Sequence, residues 1–419
     1  MRRTFHHIDL FAGYGGLSLG LEQAGFKPVY VNELSPDARA SYLLNRQSEF
    51  GYLATPEFHC ADVKSLVLKD GALRSLKRNL KSEFSIDCSA GELDLVAGGP
   101  PCQGFSGIGH RRSYSVDKEQ LPSNHLYQDM AFVVASLKPK IFLFENVRGL
   151  LNAKWTADGR KGEIWDEVRG TFEDLKGYSV RWALVRARDY GVPQNRPRVL
   201  MVGIRNDILK SIELTETGVA GGFLPAPIGR APDLIDLLGD LVDPDYTKGG
   251  STKTYPGAAK TAVQRALRLS HGACVSKGGL VTEHDYSDHS DRVVAKFKAM
   301  HKTGGAIPKE FQTKKFAQRL LPPKWGDEGP TITATSLPDD YVHFCQPRTL
   351  TVREWARLQL FPDWYQFAGK RTTGGLRRAG NPREGIFDRE VPKYTQIGNA
   401  VPVGLAQEVG THFSHLLRG

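Results

Sequence analysis

The sequence predicts an α/β protein built on a doubly wound sheet, with a second, smaller domain joined to it. Three observations carry that reading. Through about residue 205, short apolar runs of strand length alternate with helix-period stretches. The first run ends in a glycine-rich turn that opens a helix, and the second ends at an acidic residue, Glu33. After Arg205 the alternation stops, and regular signals return only near Thr351. Alternating strands and helices call for a mostly parallel sheet covered on both faces. At 419 residues the chain has room for roughly two or three domains. The predicted division is 1–205 for the sheet domain, 206–345 for the second domain, and 346–419 for a segment that completes the first.

The elements follow in order. Phe5 to Leu10 is the first strand, and Leu17 to Ala24 a helix stopped by Gly25. Val29 to Val31 is the second strand, ending at Asn32 and Glu33, and Pro36 starts the next helix at a favoured first-turn position. A third strand is expected around Phe58 to Val63. Asp70 to Lys81 is a basic helical stretch, read as a solvated face. Leu93 to Ala97 is a buried strand, and Met130 to Leu137 a helix stopped by Pro139. Ile141 to Phe144 is a continuous apolar strand, buried on both faces of a parallel sheet. Val180 to Val185 and Val199 to Ile204 are two more strands. Residues 218–257 are rich in Gly and Pro. Thr351 to Leu360 and Val403 to Leu417 are helices, the last packing back on the first domain.

Composition narrows the function classes. Hydrophobic residues at 40% and charged residues at 24% describe a soluble globular protein, and no apolar run is long enough to span a membrane. Residues 1–7 lack the apolar stretch of a signal peptide. Five scattered cysteines, without metal-ligand spacing, suit free thiols in a cytoplasm and no metal. With 56 basic against 46 acidic residues, the net charge of +10 fits a polyanion partner.

Chemistry concentrates at predicted strand ends, where α/β folds place their ligands. Asp9-Leu10-Phe11-Ala12-Gly13-Tyr14-Gly15-Gly16 follows the first strand and opens a helix; such glycines let backbone approach a ligand closely. Glu33 stands about 20 residues on, where a carboxylate can accept ribose hydroxyls, or alternatively cap the next helix. Gly98 to Ser106 reads Gly-Gly-Pro-Pro-Cys-Gln-Gly-Phe-Ser. Two prolines stiffen the backbone into Cys102, as a positioned nucleophile requires; on these residues alone a buried cysteine after a Pro-rich turn is the alternative. Glu145-Asn146-Val147 ends the Ile141 strand on the same sheet edge, a place for a general acid whose burial would raise its pKa, or for a simple helix cap. Gln194-Asn195-Arg196-Pro197-Arg198 puts two arginines on alternate positions; exposed arginines before a strand are common, but two fixed by Pro197 suggest an anion or carbonyl clamp.

Taken together the chain resembles a DNA (cytosine-5)-methyltransferase of the bacterial restriction-modification type. The resemblance covers about 1–205 and 346–419. It rests on Asp9 to Gly13, Pro100-Pro101-Cys102-Gln103, Glu145-Asn146-Val147, Gln194-x-Arg196-x-Arg198, Arg348-x-Leu350-Thr351 with Arg357-Leu358-Gln359, and Gly398-Asn399-Ala400-Val401-Pro402, all in the family's order. It implies a sheet of the S-adenosylmethionine (SAM)-dependent methyltransferase kind and a target-recognition domain at 206–345. It implies that Cys102 adds to C6 of a flipped-out cytosine, so that C5 can take the methyl of SAM. Glu145 would hold the base and protonate N3, Asn146 orient the loop, and Gln194, Arg196 and Arg198 serve the base, phosphate or active-site loop. For SAM the resemblance implies Phe11 stacking on adenine, Ala12, Gly13, Gly15 and Gly16 near methionine and ribose, and Glu33 on the ribose. Asp62 and Val63 would meet the adenine edge, with Pro101, Leu126, Asn399 and Val401 closing the pocket.

The implied partners are double-stranded DNA and, without a stable complex, a restriction endonuclease; the expected state is a monomer. Residues 103–123 look like a mobile loop closing over DNA. Two stretches, 70–92 and 366–393, are longer than the family pattern leads one to expect. The alternatives are a tRNA cytosine-C5 methyltransferase, whose Cys-Phe-Thr triplet is absent here, and a catalytically idle DNA-binding relative, against which Cys102 and Glu145 argue. His284 to His289 could be drawn as a metal site, but its spacing fits none.

Overall fold

The computed structural model describes residues 4–101, 122–156, 158–212, 221–229, 231–312, 318–324, 331–332, 340–372 and 390–418. Cys102 and the loop to residue 121 lie outside the described residues, as do the arginines of 373–389.

Among the described residues seven strands form one sheet: β1 Phe5–Leu10, β2 Phe26–Asn32, β3 His59–Cys60, β4 Leu95–Gly98, β5 Ile141–Val147, β6 Tyr178–Arg186 and β7 Pro197–Arg205, in the order β3-β2-β1-β4-β5-β7-β6. β1, β2, β3, β4 and β5 pair parallel, whereas β7 is antiparallel to both β5 and β6. The sheet is therefore mixed rather than parallel throughout. The reason is local: only about ten residues join β6 to β7, too few for the crossover a parallel pair needs. The third strand is two residues long, shorter than the 58–63 expected, because β2 pairs with it only at Val31 and Asn32. The order reverses between β1 and β4, the switch point at which open α/β sheets place ligands.

The helices are α1 Gly16–Gln23, α2 Pro36–Leu44, α3 Lys64–Val67, α4 Ala72–Phe84, α5 Leu126–Leu137, α6 Glu163–Glu173, α7 Asn206–Ser211, α8 Leu234–Leu238, α9 Ala262–Leu267, α10 Asp291–Lys302, α11 Val352–Arg357, α12 Lys393–Asn399 and α13 Val403–Leu416. Alternate strand residues feed opposite faces. Ile8, Leu10, Val96, Phe142, Phe144 and Met201 pack with α4, α5 and α6. Phe5, Leu95, Ala97, Ile141, Leu143 and Leu200 pack with α1 and α13. Both faces are thus covered, as a doubly wound sheet requires.

Residues between 234 and 341 share a third apolar cluster with Leu350, Trp355, Phe361 and Val403, and with Tyr14, Leu19 and Ala38. Buried ion pairs bind the same region: Arg357 spans Asp240 and Asp363 at 2.6 Å and through a short contact, and Arg268 meets Asp240 at 2.6 Å. α11 starts on a capping box in which Thr351 and Glu354 exchange bonds with each other's backbone, and Glu354 also takes a bidentate Arg348. Among the described residues no helix is long and apolar enough to cross a membrane.

Candidate active site

The turn after β1 is pinned by a residue the sequence did not single out. Asn32, buried at the end of β2, accepts from the Phe11 amide at 3.2 Å and donates to the carbonyls of Ala61 at 2.9 Å and Cys60 at 3.3 Å. It therefore ties together the ends of β1, β2 and β3; its only sequence signal is a polar residue closing an apolar strand. Phe11 takes a left-handed φ of 58°, and Ala12 donates to the Asn32 carbonyl. Gly13, also left-handed, donates to Glu33 Oε2 at 2.7 Å, while Ser35 donates to Oε1 at 2.7 Å. Glu33 is thus both a turn anchor and a strand-end carboxylate. Burial raises its pKa, and the two amides oppose that. Each carboxylate oxygen still has a lone pair to offer.

The glycines divide by role. Where a side chain on Gly13 would project there is nothing within 4 Å, so the turn faces open space. A Cβ on Gly15 would press on Tyr42 and Arg46, and one on Gly16 would collide with the Val401 carbonyl. Gly15 and Gly16 are therefore packing positions, and Val401 reaches the turn from the far end of the chain. Leu34, which the sequence reading passed over, is 69% exposed beside Glu33. Asp62 is exposed and accepts from the Lys64 amide at 3.0 Å; it is near enough to Asp129 of α5 to help raise that group's pKa behind the main cause, burial. Leu126 and Pro101 are half-buried, Val63 is buried, and Asn399 is exposed at the end of α12. An open glycine turn flanked by a carboxylate with spare lone pairs, an exposed apolar side chain and a second carboxylate suits a nucleoside-bearing cofactor such as SAM.

The second half of the site lies on β4 and β5. β5 runs on to Val147 rather than ending at Phe144, because β7 continues the ladder: Glu145 faces Leu200, Asn146 faces Val199 and Val147 faces Arg198. β4 stops at Gly98, opposite Phe144. Glu145 is the first residue past that pairing, so its carboxylate turns toward the Gly99-Pro100-Pro101 loop. A Cβ on Gly99 would lie 2.8 Å from Glu145 Oε2. Arg198 Nε meets Glu145 Oε1 at 2.6 Å. Burial raises the Glu145 pKa against the pull of Arg198 and Arg196. Asn146 donates to the Pro100 carbonyl at 3.2 Å and accepts from the Val147 amide, fixing the proline loop to the strand. Pro101 is the residue that leads into Cys102.

Arg196, expected at a base carbonyl or phosphate, is fully buried and donates to the backbone carbonyls of Ile332, Gly398 (2.6 Å) and Ala400 (3.1 Å). Gln194 donates to the Leu358 carbonyl at 2.6 Å and accepts from the Ile332 amide at 3.0 Å. Both act as ties from the turn entering β7 to the 332 and 358–400 segments. Partners so far along the chain give no local sequence signal. His284, from the stretch that could be drawn as a metal site, is buried and bonded to Thr351 and the Leu241 carbonyl. No cluster of three or more ligating side chains occurs among the described residues.

The family model for C-5 cytosine-specific DNA methylase matches residues 5–415. The chain belongs to that family. The C-5 cytosine methylase is 32% identical over 435 residues to the type II methyltransferase M.XorII of Xanthomonas oryzae pv. oryzae, covering 98% of this chain and 85% of the relative. It is 29% identical over 424 residues to type II methyltransferase M.DdeI of Desulfomicrobium norvegicum, covering 97% and 88%. A crystal structure described as that of a DNA modification methyltransferase encoded within an E. coli prophage superposes with a TM-score of 0.67 at 23% identity, covering 99% of this chain and all of that one. The S. pombe Dnmt2 methyltransferase shares the fold at a TM-score of 0.51 and 16% identity, covering 99% and 98%. The methylase's DNA is its substrate, and its sheet is the methyltransferase sheet expected from the sequence.

Proposed function

We propose that this methylase modifies C5 of a cytosine flipped out of a specific double-stranded site, through a covalent bond between Cys102 and C6. The observation that carries the reading is Glu145: a buried carboxyl, raised in pKa, held by Arg198 and aimed at the proline loop that leads into Cys102. Cytosine C5 is a poor nucleophile. Addition of the Cys102 thiolate at C6 makes C5 an enamine carbon, and the Glu145 carboxyl donates its proton to N3 as that bond forms. Arg198 keeps Glu145 in register and reaches the base carbonyl. After C5 has gained its methyl, a base removes the C5 proton and the Cys102–C6 bond breaks.

The Gly13 turn, Phe11, Glu33, Leu34 and Asp62 would hold SAM, which when bound supplies the methyl group. Asn146 keeps the loop in place, and Gln194 and Arg196 position the 398–401 segment against the turn. Residues 206–345 read the target sequence, 346–419 complete the catalytic domain, and the enzyme works as a cytoplasmic monomer without a metal. By likeness to the type II relatives, it protects DNA from a partner endonuclease with which it forms no stable complex.

The test is DNA carrying 5-fluorocytosine at the methylated site. Fluorine cannot leave C5 as a cation, so enzyme, DNA and transferred methyl should remain bonded through boiling in detergent. Trapping should require SAM and vanish in Cys102→Ala. Turnover of fluorinated DNA without trapping refutes the C6 adduct. Trapping on fluorinated RNA but not DNA would favour a tRNA enzyme, and no trapping or turnover an idle relative.

A further inference from the structure

Helix α4 lies in one of the stretches that exceed the family pattern, and the site makes no use of it. Its Leu76 and Leu80 are buried in the cluster on the α4–α6 face of the sheet, with Leu73 and Phe84 packed alongside. Arg74, Lys77, Arg78 and Lys81 recur at i, i+3, i+4 and i+7, so they share a second face of the helix. Lys81 is neutralised by Asp87 at 2.6 Å. Arg74, Lys77 and Arg78 pair with no carboxylate among the described residues; Arg78 donates to Ser75 Oγ. Beside them is a shallow groove of about 410 Å³, lined by Lys77, Arg78, Lys81, Ser82, Asp87 and Ser89.

Position decides what this stripe can meet. Among the described residues, the apolar cluster under α4 draws nothing from beyond Met201, whereas Phe223 and Leu224 pack on the opposite face and residues between 234 and 341 join a separate cluster. The basic stripe is thus on the side of the sheet away from the segment that reads the target. Its length, about 10 Å for seven residues at 1.5 Å each, faces roughly six phosphate charges of duplex DNA. We propose that α4 is a second DNA-binding surface, which grips the phosphate backbone of a duplex segment outside the target site and without regard to sequence.

The proposal rests on DNA being the substrate, and wild-type methylation of both probes below tests that premise separately. The variant is Arg74→Gln, Lys77→Gln and Arg78→Gln together. The probes are a short duplex that just covers the methylated site and a duplex several hundred base pairs long around the same site. With one phosphate per lost cation at ~0.9 each, the log–log salt slope on the long duplex should fall by ~2.7. Between 50 and 200 mM salt that is a loss of affinity about 40-fold smaller than for wild type. Affinity and turnover on the short duplex should stay within about twofold. Arg74→Lys with Arg78→Lys should keep the wild-type slope, and unchanged thermal unfolding confirms that each variant folds. Equal losses on both probes would place the stripe in the substrate cleft; no change on either would make it a solvated face. Lost binding to double-stranded RNA with long-DNA binding intact would assign it to RNA. Any of the three overturns the proposal.

Discussion

Gly99→Ala tests the proposed chemistry without touching a reacting group. Gly99 does not take a positive φ, so its backbone admits alanine. The new methyl would stand 2.8 Å from Glu145 Oε2, about 0.6 Å inside the 3.4 Å at which ordinary contact begins. Glu145 has little freedom to retreat: Oε1 is held by Arg198 at 2.6 Å and its backbone is paired in β5. The carboxyl must shift by a few tenths of an ångström, or the proline loop must lift. Misplacement by 1 Å can cost about 10²-fold, so this shift should cost roughly 10- to 100-fold in kcat. The assay is transfer of labelled methyl from SAM to DNA at saturating concentrations of both. The KM for SAM should hardly move, because Gly99 is not part of the Gly13 turn. Glu145→Gln alone should cost ~10²–10⁴-fold. The double variant should be no slower than Glu145→Gln, since the methyl then disturbs a group already disabled. A kcat for Gly99→Ala within twofold of wild type, or a full additional loss in the double variant, refutes the reasoning.

Arg196→Met should cost several kcal/mol, at ~1–3 kcal/mol for each buried carbonyl left without its donor; urea unfolding showing a loss under ~1 kcal/mol would mean that the 332 and 398–400 carbonyls find other partners. Gly20→Ala should cost ~1–3 kcal/mol by overpacking, because its Cβ would sit 2.5 Å from the Ala406 side chain and the Val403 carbonyl of α13, and an unchanged Tm would refute that close packing. His343 is pushed down to about 4 chiefly by burial, and its Nδ1 accepts from the Cys345 and Gln346 amides. The unfolded chain then binds the extra proton first, so stability present above about pH 6.5 is lost as pH falls, by ~1.4 kcal/mol at pH 5.5. His343→Gln should remove that share of the difference in unfolding free energy between about pH 7.5 and 5.5; an unaltered difference sinks the assignment.

What the sequence made legible was whatever repeats over a few residues. The β1 run, the glycine turn and the acid ending β2 are local, and the structure joins them directly in the bond from Gly13 to Glu33. What stayed hidden depends on partners far along the chain. β5 reads as ending at Phe144 because its apolar run ends there; it continues because β7, more than fifty residues later, pairs with Glu145 to Val147. Asn32 looks like any polar residue closing a strand until Phe11 and Ala61 come together around it. Arg196 and Arg198 look alike in sequence. One turns to Glu145 and the other to carbonyls 136 to 204 residues away, a division set by which elements cover β7.

The same long-range ties bear on how the site fails. Gly16 has no room for a side chain because Val401 lies against it, and Gly20 none because α13 does. The last segment of the chain therefore forms one wall of the turn made by the first. Arg196 fastens that segment to β7 through Gly398 and Ala400. The Gly13 turn can reach its final shape only after residues some four hundred positions apart have met, a contact whose loop-closure entropy is paid late in folding. Loosening α13 or Arg196 should then lower SAM affinity and stability together. Gly99 and Glu145 sit on the other side of the switch point, Gly99 just past β4 and Glu145 in β5, and the partners of both strands lie within the first 205 residues. Changes there should slow the chemistry while leaving SAM affinity and the unfolding transition nearly where they were. On the proposed function the site has two halves with different dependencies: a binding half held by the whole fold, and a chemical half held by three adjacent strands.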